Sequence, residues 1–355
     1  MSTLYDLAMN RAEARFLELL PLAMGAICLA FGLTVRSGGP SSYDFTAGTV
    51  VVSLTAICIA LFCTAATIIQ QLIGRYSTFF LYALPGLGYT TAAGTIVAGV
   101  AIVTGSSSAD HFVAGHVVIG VGLIVACVST VATASTRFLL IPRNAHSGND
   151  QRIAEGFTVT GERLLIALPV LCTLVGLVLA ISLMADGSVT SHFVAGHVLM
   201  GLTIICAALI TLVVSIARQV SNSYTARERQ MWPWVVVVAG SVNLVWGIVL
   251  VTSSSKGETP GWVMIGLALV CFSILSKVLL LAVGWRRHFD LAHRIPLIPV
   301  LTAMICFILS AFLFQSSTAN ANLAVPARVL VGLGSVCFTL FSIVSILESG
   351  TSDGG

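Results

Sequence analysis

The chain has 355 residues, of which 57% are hydrophobic and only 9% charged, with a mean hydropathy of +1.01. A soluble domain carries roughly 25% charged residues, so this composition excludes one. The net charge of +3 carries little information, because in a membrane protein the placement of basic residues matters more than their sum, and no nucleic-acid partner is expected. Windows of about 20 uncharged residues have the length that crosses a bilayer as a helix, and the alternation of a membrane β-barrel is absent. The implied fold class is all-α: a polytopic protein whose partner is the lipid bilayer.

In chain order, Met1–Glu18 is polar and mixed in charge and does not read as a cleavable signal peptide. Ten spans follow, at 19–35, 46–70, 79–103, 112–135, 164–184, 193–217, 232–252, 261–284, 296–314 and 326–347. Each odd-numbered span has a proline near its predicted start: Pro21, Pro85, Pro169, Pro233 and Pro299. A first helical turn tolerates proline because its N–H has no intrahelical partner. The second, fourth and sixth spans open on FTAGTV (Phe45–Val50), FVAGHV (Phe112–Val117) and FVAGHV (Phe193–Val198). Degenerate copies, TPGWVM at Thr259–Met264 and VPARVL at Val325–Leu330, open the eighth and tenth. Aligned on the fifth residue of the motif, a position called zero below, the copies fall at Thr49, His116, His197, Trp262 and Arg328. Self-similarity at a fixed period marks a fold built by repeating one unit. The expectation is a single integral domain, residues 1–355, of five parallel two-helix hairpins at about 16–70, 79–135, 164–217, 232–284 and 296–347, with 136–163 as a cytoplasmic linker.

Basic residues predict the orientation. Thirteen fall on one side of the spans, at Arg11, Arg15, Arg75, Arg137, Arg143, Arg152, Arg163, Arg218, Arg227, Arg229, Arg286, Arg287 and Arg294, against two, Arg36 and Lys256, on the other. The positive-inside rule then puts both termini in the cytoplasm and every motif at the outer face.

Along the even spans the residue at +4 is Ser53, Gly120, Gly201, Gly266 or Gly332, and at +11 it is Ala60, Cys127, Ala208, Ser273 or Thr339. The +14 set is Cys63, Thr130, Thr211, Ser276 and Ser342. At 100° per residue these positions form one narrow stripe with position zero. Two readings stay open. Small residues let helices approach closely in lipid, which makes Gly120, Gly201, Gly266 and Gly332 a packing seam. Alternatively, five like-oriented even helices ring an axis and present the stripe to it, making Thr49, Trp262, Arg328, Thr130, Thr211, Ser276 and Ser342 a solute path. Lys277, at +15, is the one deeply placed charge, and its direction, inward or snorkelling toward the interface, stays open. No Asp or Glu lies well inside a span, so the carboxylate relay of many proton-coupled pumps is missing.

His116 and His197 at position zero, with His111 and His192 five residues earlier, form a candidate pH-responsive outer rim, since histidine changes charge between about pH 5 and 8. Placement in a first helical turn would disfavour protonation, and Asp110 would oppose that for the first pair. Boundary histidines bonded to water or backbone are the bland alternative. A haem held by two facing histidines is a third. A zinc site lacks a matching ligand set, and no nucleophile elbow, P-loop or dinucleotide fingerprint appears, so no metal, cofactor or enzymatic activity is expected. All nine cysteines fall inside apolar segments without a CxxC, as buried small hydrophobes do.

FVAGHV with ACVSTVA, FLLIPRN, GHVLMGLTIICA, SKVLLLAVGWRR, RIPLIPV and RVLVGLGSVCFTLFSIVSILE resembles the YhiM-like family of bacterial inner-membrane proteins over almost the whole chain. That resemblance implies a bacterial inner membrane location and a part in surviving acid stress; it brings no defined catalytic residues. Together these readings predict a channel or transporter for a small solute, an anion before a cation. The alternatives are a non-transporting scaffold or pH sensor acting through an unknown protein partner, and a haem-bearing redox protein.

Overall fold

The computed structural model describes residues 11–37, 42–72, 76–136, 158–221, 223–283 and 294–351. These residues hold ten long helices: α1 (Arg11–Ser37), α2 (Ser42–Leu72), α3 (Thr78–Gly105), α4 (Ala109–Ser135), α5 (Val159–Ala185), α6 (Thr190–Val220), α7 (Ala226–Ser253), α8 (Glu258–Val283), α9 (Leu297–Ser316) and α10 (Ala324–Thr351). All ten are long and apolar enough to cross a membrane, and no strand occurs among the described residues. Most of the expected linker, and Arg75, Arg137, Arg143, Arg152, Arg286 and Arg287, lie outside the described residues.

Three helices, α4, α5 and α7, overrun the predicted spans at polar starts that side chains cap. Ser108 accepts from the His111 N–H at the start of α4 and Thr158 from the Gly161 N–H at the start of α5. Thr225 and Glu228 form a reciprocal capping box on α7. Each cap satisfies N–H groups that the first turn leaves without intrahelical partners. One consequence corrects the reading of the motif: in α2, α4 and α6 position zero stands seven residues into the helix, beyond the first turn where the helix dipole acts. A second correction concerns the prolines. Pro299 does lie in a first turn, but Pro21, Pro85, Pro169 and Pro233 stand seven or ten residues inside continuous helices. Membrane helices absorb such prolines because neighbouring groups re-satisfy the freed carbonyl.

Two layers result. The spans in α2, α4, α6, α8 and α10 are 78–89% buried, and those in the odd helices 22–39%. Among the described residues every exposed large hydrophobic side chain but Val189, from Phe16 on α1 to Phe314 on α9, belongs to an odd helix. Exposed aliphatic side chains in this number are tolerated only against lipid, so the odd helices form the lipid-facing layer.

Each odd helix packs antiparallel on the even helix that follows it, and the even helices contact one another in the closed order α2, α4, α6, α8, α10 and back to α2. Within a hairpin the motif glycine makes the closest approach. A methyl group at Gly48 would lie 2.7 Å from the Gly32 carbonyl oxygen, and one at Gly261 2.7 Å from that of Gly247. The obstacle is backbone, which cannot step aside. Gly115 meets Gly99 and Gly196 meets Ala180 in the same way, and on α9 and α10 the Ser310 hydroxyl donates to the Ala327 carbonyl at 2.7 Å. The AG of the motif is thus the crossing point of the hairpin. Neighbouring even helices run parallel: Thr46 reaches the Asp110 carbonyl at one end of the α2–α4 pair, and Gln71 the Ser135 carbonyl at the other.

Candidate functional site

Five parallel helices in a closed ring create an axis, and the side chains facing it recur at aligned positions. At +1 the residue is valine in every even helix: Val50, Val117, Val198, Val263 and Val329. These five valines floor one vestibule of about 300 Å³ at the motif end. Its wall adds Thr46 and Thr259, the residues Thr190, Ser191, Ser255 and Asn322, and two charges, Asp110 and Lys256. Below the valines the axis narrows to a cavity of about 30 Å³ that all five even helices enclose, room for roughly one water. Its rings are aliphatic: Ile57, Ile124, Ile205, Val270 and Val336 at +8, then Leu61, Val128, Leu209, Ile274 and Leu340 at +12. At +15, about 22 Å along the helix from position zero, Lys277 joins Val131 and Leu212 in that wall.

The direction left open for Lys277 resolves inward. Its side chain is only 2% exposed, it lines the axis, and no hydrogen bond or ion pair joins it to a described residue. Position +15 sits at about 60° on the helical wheel, at the border between the small stripe and the face spanned by +1, +5, +8 and +12, whose mean direction is about 100° from that stripe.

That offset corrects the proposed solute path. The small stripe faces the next even helix instead of the axis. A methyl at Gly120 would lie 2.6 Å from a Leu202 methyl, one at Gly201 2.7 Å from Leu267, one at Gly266 2.7 Å from Leu333, and one at Gly332 2.5 Å from Leu54. Each +4 glycine is therefore the hole that receives the +5 leucine of its neighbour, with Leu54 closing the ring onto α10. Thr130, Thr211, Ser276 and Ser342 are fully buried and donate to carbonyls of their own helices, at Ala126, Ala208, Ser273 and Thr339. None lines either axial cavity. Hydroxyls bonded within their own helix can pack in lipid without a cross-helix partner.

Position zero does not gather at the axis either. Thr49 is buried with no hydrogen-bond partner for its hydroxyl among the described residues, and Trp262 packs against the aliphatic core. Arg328, a member of the candidate solute path, forms an ion pair with Asp44 of α2. Asp44 lies at the α2 terminus, outside every predicted span, and only closure of the ring brings it to α10. Arg328 is therefore paired with Asp44, and the vestibule wall carries one charge of each sign, Lys256 and Asp110.

The histidines sit at the rim between hairpins. His111 stacks on Phe45 at 4.1 Å between ring centroids and shares a 2.6 Å hydrogen bond with Ser108, while the Arg36 guanidinium covers the Phe45 ring at 5.1 Å. His192 repeats the arrangement one unit on, stacked on Phe112 at 4.4 Å and donating to Asp186 at 2.7 Å. The carboxylate beside a rim histidine is thus Asp186, whereas Asp110 faces the vestibule. His116 and His197 donate from Nδ1 to the carbonyls of Phe112 and Phe193, one turn back, and tilt against those same rings. The bland reading of backbone-bonded histidines fits His116 and His197; His111 and His192 join adjacent hairpins. Among the described residues no group of three or more His, Cys, Asp or Glu can hold a metal ion, and all nine cysteines are buried and unpaired.

Sequence reasoning missed the valine ring, Asp44 and the stacking partners Phe45 and Phe112. The signal for the first was available, five valines at one aligned position; the other two required the ring's order.

The comparisons with known proteins agree with this architecture. The family model described as "Protein of unknown function (DUF2776)" matches residues 9–352. The chain is 48% identical over 340 residues to the inner membrane protein YhiM of Escherichia coli (strain K12), covering 94% of this chain and 97% of that one. No solved structure matches. A match across nearly the full length of both chains leaves one conclusion: this multi-pass helical membrane protein belongs to the DUF2776 family, together with YhiM.

Proposed function

We propose that the chain is a gated conduit for a small solute, an anion in preference to a cation, across the bacterial inner membrane, with the motif ends outside and both termini in the cytoplasm. The observation that carries this reading is a pair of cavities lined by the same five even helices: a wide vestibule on one side of the valine ring and a narrow cavity on the other. Aliphatic constrictions of this kind close a pore by excluding water and open when the ring widens slightly. Lys277 is the one charge on the narrow wall, and a cationic lining favours anions. The orientation rests on the thirteen-to-two distribution of basic residues.

The likeness to the YhiM-like family links the conduit to acid tolerance, where anion movement would offset the charge of entering protons. The rim supplies a point of control. Protonation of His192 would strengthen its bond to Asp186, and a protonated ring on Phe45 or Phe112 gains cation–π attraction, so external acid would change how adjacent hairpins hold together. The test is anion flux from liposomes carrying the purified protein, at external pH 5 and pH 7. Flux above that of empty vesicles, higher at pH 5 and altered when His111 and His192 are both replaced by glutamine, is the expected result; no flux at either pH sinks the conduit. The filled +8 and +12 rings favour a second reading, a non-transporting scaffold that answers to pH through a partner, and the absence of flux would select it.

A further inference from the structure

We propose that the narrow section of the axis is a binding site for one weakly hydrated monovalent anion, held by the ammonium of Lys277. Three observations meet there. The Lys277 side chain is 2% exposed and has no hydrogen-bond or ion-pair partner among the described residues. The cavity it lines is about 30 Å³, room for a single ion without its hydration shell. Every other residue of the wall is Leu, Ile or Val. An isolated ammonium in such a wall has lost its water and gained nothing in return, and a monovalent anion is the group that completes it.

The same wall sets the order of preference. The hydroxyls beside Lys277 in sequence and at its level in the ring are already engaged: Ser276 donates to the Ser273 carbonyl, Ser273 is bonded to Thr302 of α9, and Thr64 donates to the Ala60 carbonyl. No second donor therefore replaces the water an entering anion must shed. Dehydration cost then decides, so nitrate and iodide bind before chloride, while fluoride and divalent sulfate are excluded. A site built from converging N–H groups would rehydrate its ion and lose that order. The inference extends the conduit reading and rests on it only for the route by which the anion arrives.

The experiment uses the full-length protein in nanodiscs near pH 6 at constant ionic strength, with sodium nitrate, iodide, chloride, fluoride or sulfate as probes. Thermal midpoint is followed against anion concentration for the wild type, Lys277→Met and Lys277→Arg. The wild type should be stabilised with an apparent affinity for nitrate about tenfold above that for chloride, and fluoride and sulfate should do nothing. Lys277→Met should lose the anion response and Lys277→Arg should keep its order. Equal responses in the wild type and Lys277→Met, or fluoride as effective as nitrate, overturn the proposal. Should Lys277→Met fail to fold, anomalous scattering from iodide-soaked wild-type crystals decides: a peak beside Nζ supports the site and its absence refutes it. Nitrate binding without flux from liposomes would sink the conduit and leave the site; flux that favours chloride over nitrate would do the reverse.

Discussion

The even helices carry two faces of opposite character, and the ring uses them for different tasks. The face at positions +4, +11 and +14 is small and meets the next helix; the face at +1, +5, +8 and +12 is aliphatic and meets the axis. A stripe of small residues invites the idea of a path because small side chains leave room. In lipid that room is filled by the neighbour, since helix association there depends on close contact and not on hydrophobic transfer. The bulky face is left for the centre, where rings of five Leu, Ile and Val side chains meet and close it. Space in the sequence and space in the molecule lie about 100° apart on the same helix.

The sharpest way to break this comparison is to make each face polar in turn. Ile205→Ser with Leu209→Ser on the axis should hydrate the constriction and raise anion flux from liposomes on the order of tenfold. Ala208→Ser, on the seam between them in sequence, should leave flux at the wild-type level. Equal effects from the two faces would show that the axis is not the route.

The next effect is steric. Gly115→Ala puts a methyl group against the Gly99 carbonyl and the Val103 backbone, and should cost about 1–3 kcal/mol, the usual range for overpacking, seen as a lower thermal midpoint in detergent. Gly120→Ala meets only the tips of Leu199 and Leu202, which can rotate, so its cost should be clearly smaller. A reversed order would mean that the ring, not the hairpin crossing, is the tighter joint.

A smaller change tests the ring's closure. Arg328→Met removes the ion pair with Asp44 at the interface between the last and first even helices, with side-chain exposures of 23% and 13% for the pair. A loss of about 1 kcal/mol is expected for so partly exposed a pair, and Asp44→Asn in the same chain should recover part of it. The least effect belongs to His197→Gln, which gives up one bond to its own helix and should change stability by about 0.5–1 kcal/mol and flux not at all.

Much of this was legible before any coordinates. Ten spans, their hairpin pairing and the +4 glycines follow from length, spacing and residue size, which are local properties. The axis face was harder to see because Val50 or Leu61, facing the centre, looks no different from Val242 or Leu301, facing lipid; both environments accept aliphatic side chains. The partnership of Arg328 with Asp44, 284 residues apart, and the stacking of His192 on Phe112 depend on which helix neighbours which, and no spacing encodes that. Pro169 and Pro233 were misplaced for another reason: Thr158 and Thr225 cap α5 and α7, so these helices begin earlier than hydropathy suggests.

One ring member has a consequence for how such a ring can be made. At the level of Lys277 the other even helices offer Thr64, Val131, Leu212 and Ile343. Five separate copies of one hairpin would repeat the lysine at every station, crowding five ammonium groups into a dry space where like charges repel strongly. Joining the hairpins in one polypeptide removes that constraint, because each station can then be edited alone. A lone charge at the centre of a near-symmetric ring is therefore something only a covalently continuous chain can encode, and no assembly of identical subunits could reach it.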